Sequence, residues 1–478
     1  MKRREFLGAA GAAAAGALAP RPARSAPRRG KDRPNILFAI ADDWSWPHAG
    51  AYADEAARTP TFDRLAREGV LFRRAYCAAP SCTPSRGAVL TGQWPHRLEE
   101  GGNLWSRLDE KFACYPRLLE AAGYRVGHSR KGWGPGTLRG TGRERNPAGG
   151  RFRSFEQFLA GQPKDRPFCF WFGSHEPHRG YKQGSGRAAG IDLEAIRVPP
   201  FLPDHPVVRS DIADYLLEVQ RFDSQVAALL RALEREGLAE NTLVVMTSDN
   251  GMPFPRAKAN LYDYGTHMPL AVRWPAAVPG GREVGEFVSF QDFAPTFLEA
   301  AGLEPTSAMT GTSFLDLLAG GAEARSAAKR DRVFVERERH ASGRGEGGLL
   351  SYPLRAVRTA DFLYIRNLEP DRWPACDPPA FRDIDGSPTK AFLLAHREDP
   401  EVAPLFRLAA AKRPGVELYD LGKDPGELHN VAAIPGYAEA RKHLRRMLEG
   451  WMARTADPRA RGEGEVFDRY PYFGRRPG

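Results

Sequence analysis

Apolar residues gather along this chain in short unbroken runs, each closing on a polar cluster. The first, Asn35-Ile36-Leu37-Phe38-Ala39-Ile40-Ala41, stops at Asp42-Asp43. An uninterrupted run of this length predicts a strand buried on both faces, as in a parallel sheet. Phe168-Cys169-Phe170-Trp171-Phe172 repeats the pattern and ends at Gly173-Ser174-His175. Thr242-Leu243-Val244-Val245-Met246-Thr247 does so again and ends at Ser248-Asp249-Asn250-Gly251. Elsewhere the period becomes helical. Over residues 212–237, Ile212, Tyr215, Leu216, Val219, Phe222, Val226, Leu229, Leu230 and Leu233 recur near 3.6 spacing, with Gly237 placed as a C-cap. Residues 60–69 and 118–123 predict shorter helices, the second followed by a strand at 124–127. Three strands that deliver polar groups at their C-terminal ends predict a doubly wound α/β sheet, with its site at those ends.

Beyond about residue 330 the texture changes. Short alternating runs at 332–336, 354–359 and 362–366 predict antiparallel strands, and 438–452 a terminal helix. The Gly- and Arg-rich stretches 135–151 and 342–348 read as loops. The expected organisation is a catalytic domain over 33–330 and a smaller α+β domain over 331–478. Residues 1–30 form an export signal and linker. Lys2-Arg3-Arg4-Glu5-Phe6-Leu7 followed by a weakly apolar Ala/Gly stretch has the form of a twin-arginine signal, which predicts an exported, periplasmic or secreted protein. No run is apolar enough to predict a membrane span.

That segment also changes the meaning of the charge. The chain of 478 residues carries +10, but the first 33 residues alone carry +7. The remainder is only mildly basic, which removes the compositional case for nucleic-acid binding. Five cysteines, an odd number without zinc-ligand spacing, predict a fold independent of disulfides.

The candidate chemistry centres on Cys82-Thr83-Pro84-Ser85-Arg86, continued by Gly87-Ala88-Val89-Leu90-Thr91-Gly92. Asp42, Asp43, Asp249 and Asn250 are oxygen donors at strand ends, the ligand set a hard divalent cation prefers. Arg86 lies four residues after Cys82, on the same face if a helix starts there. Other candidate groups are Lys131 in Arg130-Lys131-Gly132-Trp133-Gly134, the pair His175 and His178 after the second strand, and Lys258 with Arg256 as its competitor. Arg337, Arg339, His340, Arg372 and Trp373 cluster in short polar segments and read as surface residues, with a substrate cleft as the alternative.

The Cys82 motif resembles the signature of the formylglycine-dependent sulfatases, Cys-x-Pro-Ser-Arg with a Thr-Gly tail. The likeness runs from Arg33-Pro34-Asn35-Ile36 to Glu417-Leu418-Tyr419-Asp420-Leu421. Around Asp249 to Pro269 it is nearest the heparan N-sulfatase (sulfamidase) branch. The resemblance implies an alkaline phosphatase-like fold, a large mixed sheet sandwiched by helices with a smaller α+β C-terminal domain carrying an antiparallel sheet. It implies a sulfuric ester hydrolase acting on sulfate esters or N-sulfates of a glycan. In that family a generating enzyme oxidises the cysteine, here Cys82, to 3-oxoalanine (formylglycine). Asp42, Asp43, residue 82, Asp249 and Asn250 correspond to ligands of a divalent cation, taken as Ca2+. Arg86 anchors the nucleophile, Lys131 and Lys258 contact the sulfate, and His178, with His175 beside it, protonates the leaving group. Trp133 departs from the pattern, since many members carry histidine there. That role then falls to His128, to a group of the substrate, or to nothing. Two alternatives accompany this reading: a phosphonate or phosphodiester hydrolase of the same superfamily, and a non-catalytic glycan-binding homologue with Cys82 unconverted.

Overall fold

The computed structural model describes residues 33–320 and 330–474. The proposed export segment lies outside the described residues. Among those described, no helix is long and apolar enough to cross a membrane.

One sheet dominates. Its strands are β1 (Asn35–Ala41), β2 (Val70–Tyr76), β3 (Arg125–Arg130), β4 (Gly150–Phe152), β5 (Phe168–Gly173), β6 (Thr242–Ser248), β7 (His267–Arg273), β8 (Arg282–Val284) and β9 (Val288–Ser289). They lie in the order β4-β3-β5-β1-β6-β7-β2-β8, with β9 also paired to β2. All run parallel except β7, which is antiparallel to both β6 and β2. The sheet is therefore mixed rather than purely doubly wound, as the family resemblance implied. The three strands read from apolar runs are central and buried on both faces, which is why their sequences do not alternate. β2 and β7 escaped that reading. β2 has charged residues, Arg73 and Arg74, in its middle, and β7 is broken by a proline.

Helices cover both faces. The longest, Pro206–Arg235, lays Ile212, Leu216, Val219 and Phe222 into the core on one side. Phe293 and Phe297 of the helix Phe293–Ala300 pack against Phe38 on the other. The shorter helices Pro60–Glu68 and Tyr115–Ala121 start within a few residues of their expected places.

A second sheet follows, β10 (Arg332–Arg337), β11 (Leu354–Thr359), β12 (Phe362–Asn367) and β13 (Val416–Asp420), antiparallel throughout. The helix Ala438–Arg454 covers one face through Leu444, Leu448, Trp451 and Met452. The other face packs on Tyr76, Leu261 and Tyr262 of the first unit. Residues 135–149 and 342–345 are irregular, as expected, but Gly150–Phe152 adds an outer strand to the large sheet.

Candidate active site

Four adjacent parallel strands end at one place. β1 sits between β5 and β6, and β3 lies beyond β5. Open parallel sheets keep their sites at such C-terminal edges. β1 delivers Asp42 and Asp43, β6 Asp249 and Asn250, β3 Lys131, and β5 His175 and His178. The helix Cys82–Thr91 aims its first turn at the same point, and all ten of its residues are buried. It ends at Gly92, whose left-handed conformation (φ 67°) lets its N–H return to the Ala88 carbonyl.

Close backbone approach builds the site. A Cβ at Gly173 would stand 1.6 Å from the Lys131 carbonyl oxygen. The bare glycine instead accepts the Lys131 N–H at 2.8 Å, which ties the β3 exit to β5. Asp43 holds a φ of 78°, a strained conformation that turns its carboxylate back beside Asp42.

Ligand atoms of Asp42, Asp43, Cys82 and Asp249 all lie within 4.8 Å of one another, and all four residues are buried. The Cys82 Sγ is 3.3 Å from Asp42 Oδ1. Asn250 donates from Nδ2 to Asp43 Oδ1 (2.7 Å), while its Oδ1 is buried without a hydrogen-bond partner. A buried acceptor left bare costs free energy unless something occupies it. Three carboxylates and an orphaned carbonyl oxygen facing one point fit a hard cation.

Two lysines meet these acids. Lys131 Nζ reaches both Asp42 oxygens at 2.7 and 2.6 Å, and Lys258 Nζ lies 2.7 Å from Asp43 Oδ2. Burial opposes ionisation of Asp42, but Lys131, helped by His178 and Arg86, outweighs it and holds the carboxylate well below the usual range. Burial also works against the charge on both lysines. Asp42 next to Lys131, and Asp385 with Asp43 next to Lys258, nevertheless raise both above the usual lysine range. Both ammonium groups are thus charged at neutral pH. Cys82 behaves oppositely. Burial, then Asp42, push its thiol well above the usual value. The unmodified side chain is a protonated, poor nucleophile.

Arg86 is fully buried and spends its N–H groups on the scaffold: Asp249 Oδ2 (2.7 Å) and the carbonyls of Lys131 (3.1 Å), Gly132 (3.0 Å) and Ala41 (3.3 Å). It positions the strand exits and does not reach outward.

A cavity of about 1010 Å³ opens from Asp42 and Lys131. His175 and His178 both line it and both are exposed. His178 Nε2 lies 3.9 Å from Asp43 Oδ2, and its Nδ1 lies 3.1 Å from the Arg179 carbonyl oxygen. Burial and the charge of Arg130 lower His175 below the usual histidine value. Trp133 forms part of the cavity wall, its loop clamped by Asn146, whose side chain bonds the Trp133 N–H and carbonyl. His128 lines the cavity as well and gives its Nδ1 to the Gly149 carbonyl oxygen at 3.0 Å.

Some expectations fail here. Arg256 does not compete with Lys258. It is buried over the Tyr262 ring and bonds the Leu408 and Glu427 carbonyls. Arg337 and Arg339 are not surface groups, being 3% and 1% exposed. Arg337 and Arg344 share Asp383, and Arg339 bonds the carbonyls of Leu349 and Pro471. His340 is buried too, with Nδ1 2.8 Å from Ser81 Oγ at the cap of the Cys82 helix. Arg372 pairs with Asp468 (3.0 Å), and Trp373 packs on Phe381. Asp385 was missed. It stands 3.2 Å from Lys258 Nζ, reaching the site from more than 100 residues downstream in a segment without regular structure. No local pattern in Asp383-Ile384-Asp385-Gly386 marks it.

The fold is that of the alkaline phosphatase-like hydrolases. It superposes on phosphonate monoester hydrolase of Agrobacterium radiobacter with a TM-score of 0.63 and 20% identity, over 89% of this chain and 97% of that one. A family model described as Sulfatase matches residues 34–137 and 152–303. N-sulphoglucosamine sulphohydrolase of Homo sapiens is 31% identical over 89% of this chain and 91% of its own length. An ulvan-active sulfatase of Formosa agariphila is 26% identical over 92% of this chain and 78% of its own. The chain belongs to the sulfatase family and is a sulfuric ester hydrolase.

Proposed function

We propose that this protein is a formylglycine-dependent glycan sulfatase, with N-sulfated glucosamine the first substrate to try. The observation that carries the reading is the placement of Cys82. A thiol too basic to attack is fixed at a helix start, amid three carboxylates and the orphaned Asn250 oxygen. Such a residue makes chemical sense as the precursor of something else. Oxidised to the aldehyde and hydrated, residue 82 supplies one hydroxyl to attack sulfur and a second that expels sulfate and restores the aldehyde. Asp42, Asp43, Asp249 and Asn250 would hold a divalent cation, Ca2+ by donor type. When bound, it neutralises nonbridging sulfate oxygens and lowers the pKa of the oxygen nucleophile.

The chain's own residues do the rest. Lys131 and Lys258 flank the acids from two sides and present fixed positive charge to the sulfate oxygens. His178, its Nδ1–H donating to the Arg179 carbonyl oxygen and its Nε2 turned toward Asp43, is placed to serve the departing oxygen or nitrogen as general acid. His175 borders the same opening and serves as the alternative donor. The human relative's name supports the N-sulfate and the ulvan-active relative's name a polysaccharide sulfate, so both bond types belong in the trial set. The twin-arginine segment supports export after folding, with Cys82 oxidised beforehand by the host's generating enzyme. The described cysteines, all free and buried, suit a chain that folds without disulfides.

The test is the mass of the tryptic peptide containing Cys82, from protein made in its own host. A loss of ~18 Da from the thiol form supports the mechanism. An intact thiol in active protein overturns it. Rates on matched sulfate and phosphonate esters separate the sulfatase from its phosphorus-cleaving structural relative.

A further inference from the structure

We propose that the active-site cavity contains a second anion subsite at Arg151, selecting substrates whose neighbouring sugar carries a carboxylate or further sulfate. The proposal rests on the glycan sulfatase reading above.

Five arginines line the cavity, and four are neutralised. Arg130 pairs with Glu176, Arg145 with Glu120, Arg179 with Asp211 and Arg221 with Glu218. The Arg151 side chain alone has no ion-pair or hydrogen-bond partner among the described residues. It sits in β4, the outer strand of the sheet, in register with His128 of β3. Both side chains line the cavity. Burial lowers His128 below the usual histidine value against the opposing backbone bonds of Gly149 and Gly150, and the charge of Arg151 lowers it further.

The distance suits a neighbouring sugar. His128, the register partner of Arg151, precedes Lys131 by three residues, which sets the Arg151 backbone about 10 Å back along the sheet from that of Lys131. The cavity, near the upper end of the usual ~300–1,000 Å³ for ligand sites, has room beyond one ring. An unpaired guanidinium facing it offers a forked, charge-assisted contact to a carboxylate or sulfate. An arginine whose only task was to guard a sheet edge against pairing would not need to face the cavity.

The experiment compares kcat/KM for two disaccharides with N-sulfated glucosamine at the non-reducing end. One carries a uronate as the second sugar, the other its carboxyl-reduced alcohol. The expected uronate preference is about tenfold or more in the native enzyme, shrinking as salt is raised. It falls to near one in Arg151→Gln and is partly retained in Arg151→Lys. A native preference near one, or one that survives in Arg151→Gln, overturns the subsite and leaves the sulfatase reading intact. If protein with converted Cys82 turns over neither disaccharide nor any other sulfated saccharide, the sulfatase reading itself falls, and the subsite with it.

Discussion

Arg86→Lys keeps the charge and removes the fork, so it tests whether Arg86 acts by geometry. In the native protein its guanidinium serves one carboxylate and three carbonyls. A lysine ammonium at this depth can retain Asp249 and at most one carbonyl, because its donors radiate from a single nitrogen. The carbonyls are not equally dependent. The Lys131 oxygen also accepts from Trp171 Nε1 at 3.0 Å, and the Ala41 oxygen from the Asp249 N–H at 3.2 Å. Gly132 has no second donor among the described hydrogen bonds. The variant therefore bares one carbonyl and weakens one or two others, for a loss of ~2–4 kcal/mol. Urea unfolding followed by tryptophan fluorescence reads that loss. Turnover should fall by about a hundredfold, because the Lys131-Gly132 exit carries a catalytic lysine and displacements near 1 Å cost that much. A variant within about 0.5 kcal/mol of the native protein, with turnover intact, would refute the view that Arg86 anchors the strand exits.

Three further outcomes follow from the same geometry. Stripping divalent ions should abolish turnover and Ca2+ should restore it; free Ca2+ at a hundred times its Kd should stabilise the fold by about 2.7 kcal/mol, and full activity in chelator would contradict the Asn250 argument. Asp385→Asn should lower kcat/KM about tenfold by loosening Lys258, and should add little in a Lys258→Met background; equal losses in both backgrounds would show the two act independently. His267 lies stacked between Trp46 and Tyr76 with Nε2 on the Arg73 carbonyl oxygen, and burial lowers its pKa to about 4 against the opposing charge of Asp263, with Arg358 and Arg74 also near. Because it protonates more readily unfolded, its contribution is complete above pH ~6.5 and is lost as pH falls toward the folded value, amounting to ~3 kcal/mol; His267→Phe should flatten urea midpoints across that window, and an unchanged slope would exclude His267 as the source.

Much of the fold was legible because its central strands are buried on both faces. β1, β5 and β6 appear as unbroken apolar runs, and the helix Pro206–Arg235 carries a clear 3.6-residue period. The antiparallel β7 was not legible, since strand direction depends on connections across the sheet and not on local composition. Arg337 and Arg339 misled for a related reason. Arginine is usually exposed, and burial here is possible only because Asp383 and several backbone carbonyls supply partners from distant segments.

The sequence alone determined the acids at strand ends, the Cys82 motif and the lysines, because each is a short pattern whose chemistry follows from residue type and spacing. Tertiary structure decided which of these meet. It set Asp42, Asp43, Cys82 and Asp249 within 4.8 Å, withdrew Arg256 into a carbonyl cage, and brought Asp385 to Lys258 from the far end of the chain. It also left Arg151 unpaired in a cavity where every other arginine is neutralised. Proximity between segments hundreds of residues apart is fixed by strand order and packing, and neither is written in any local stretch of the chain.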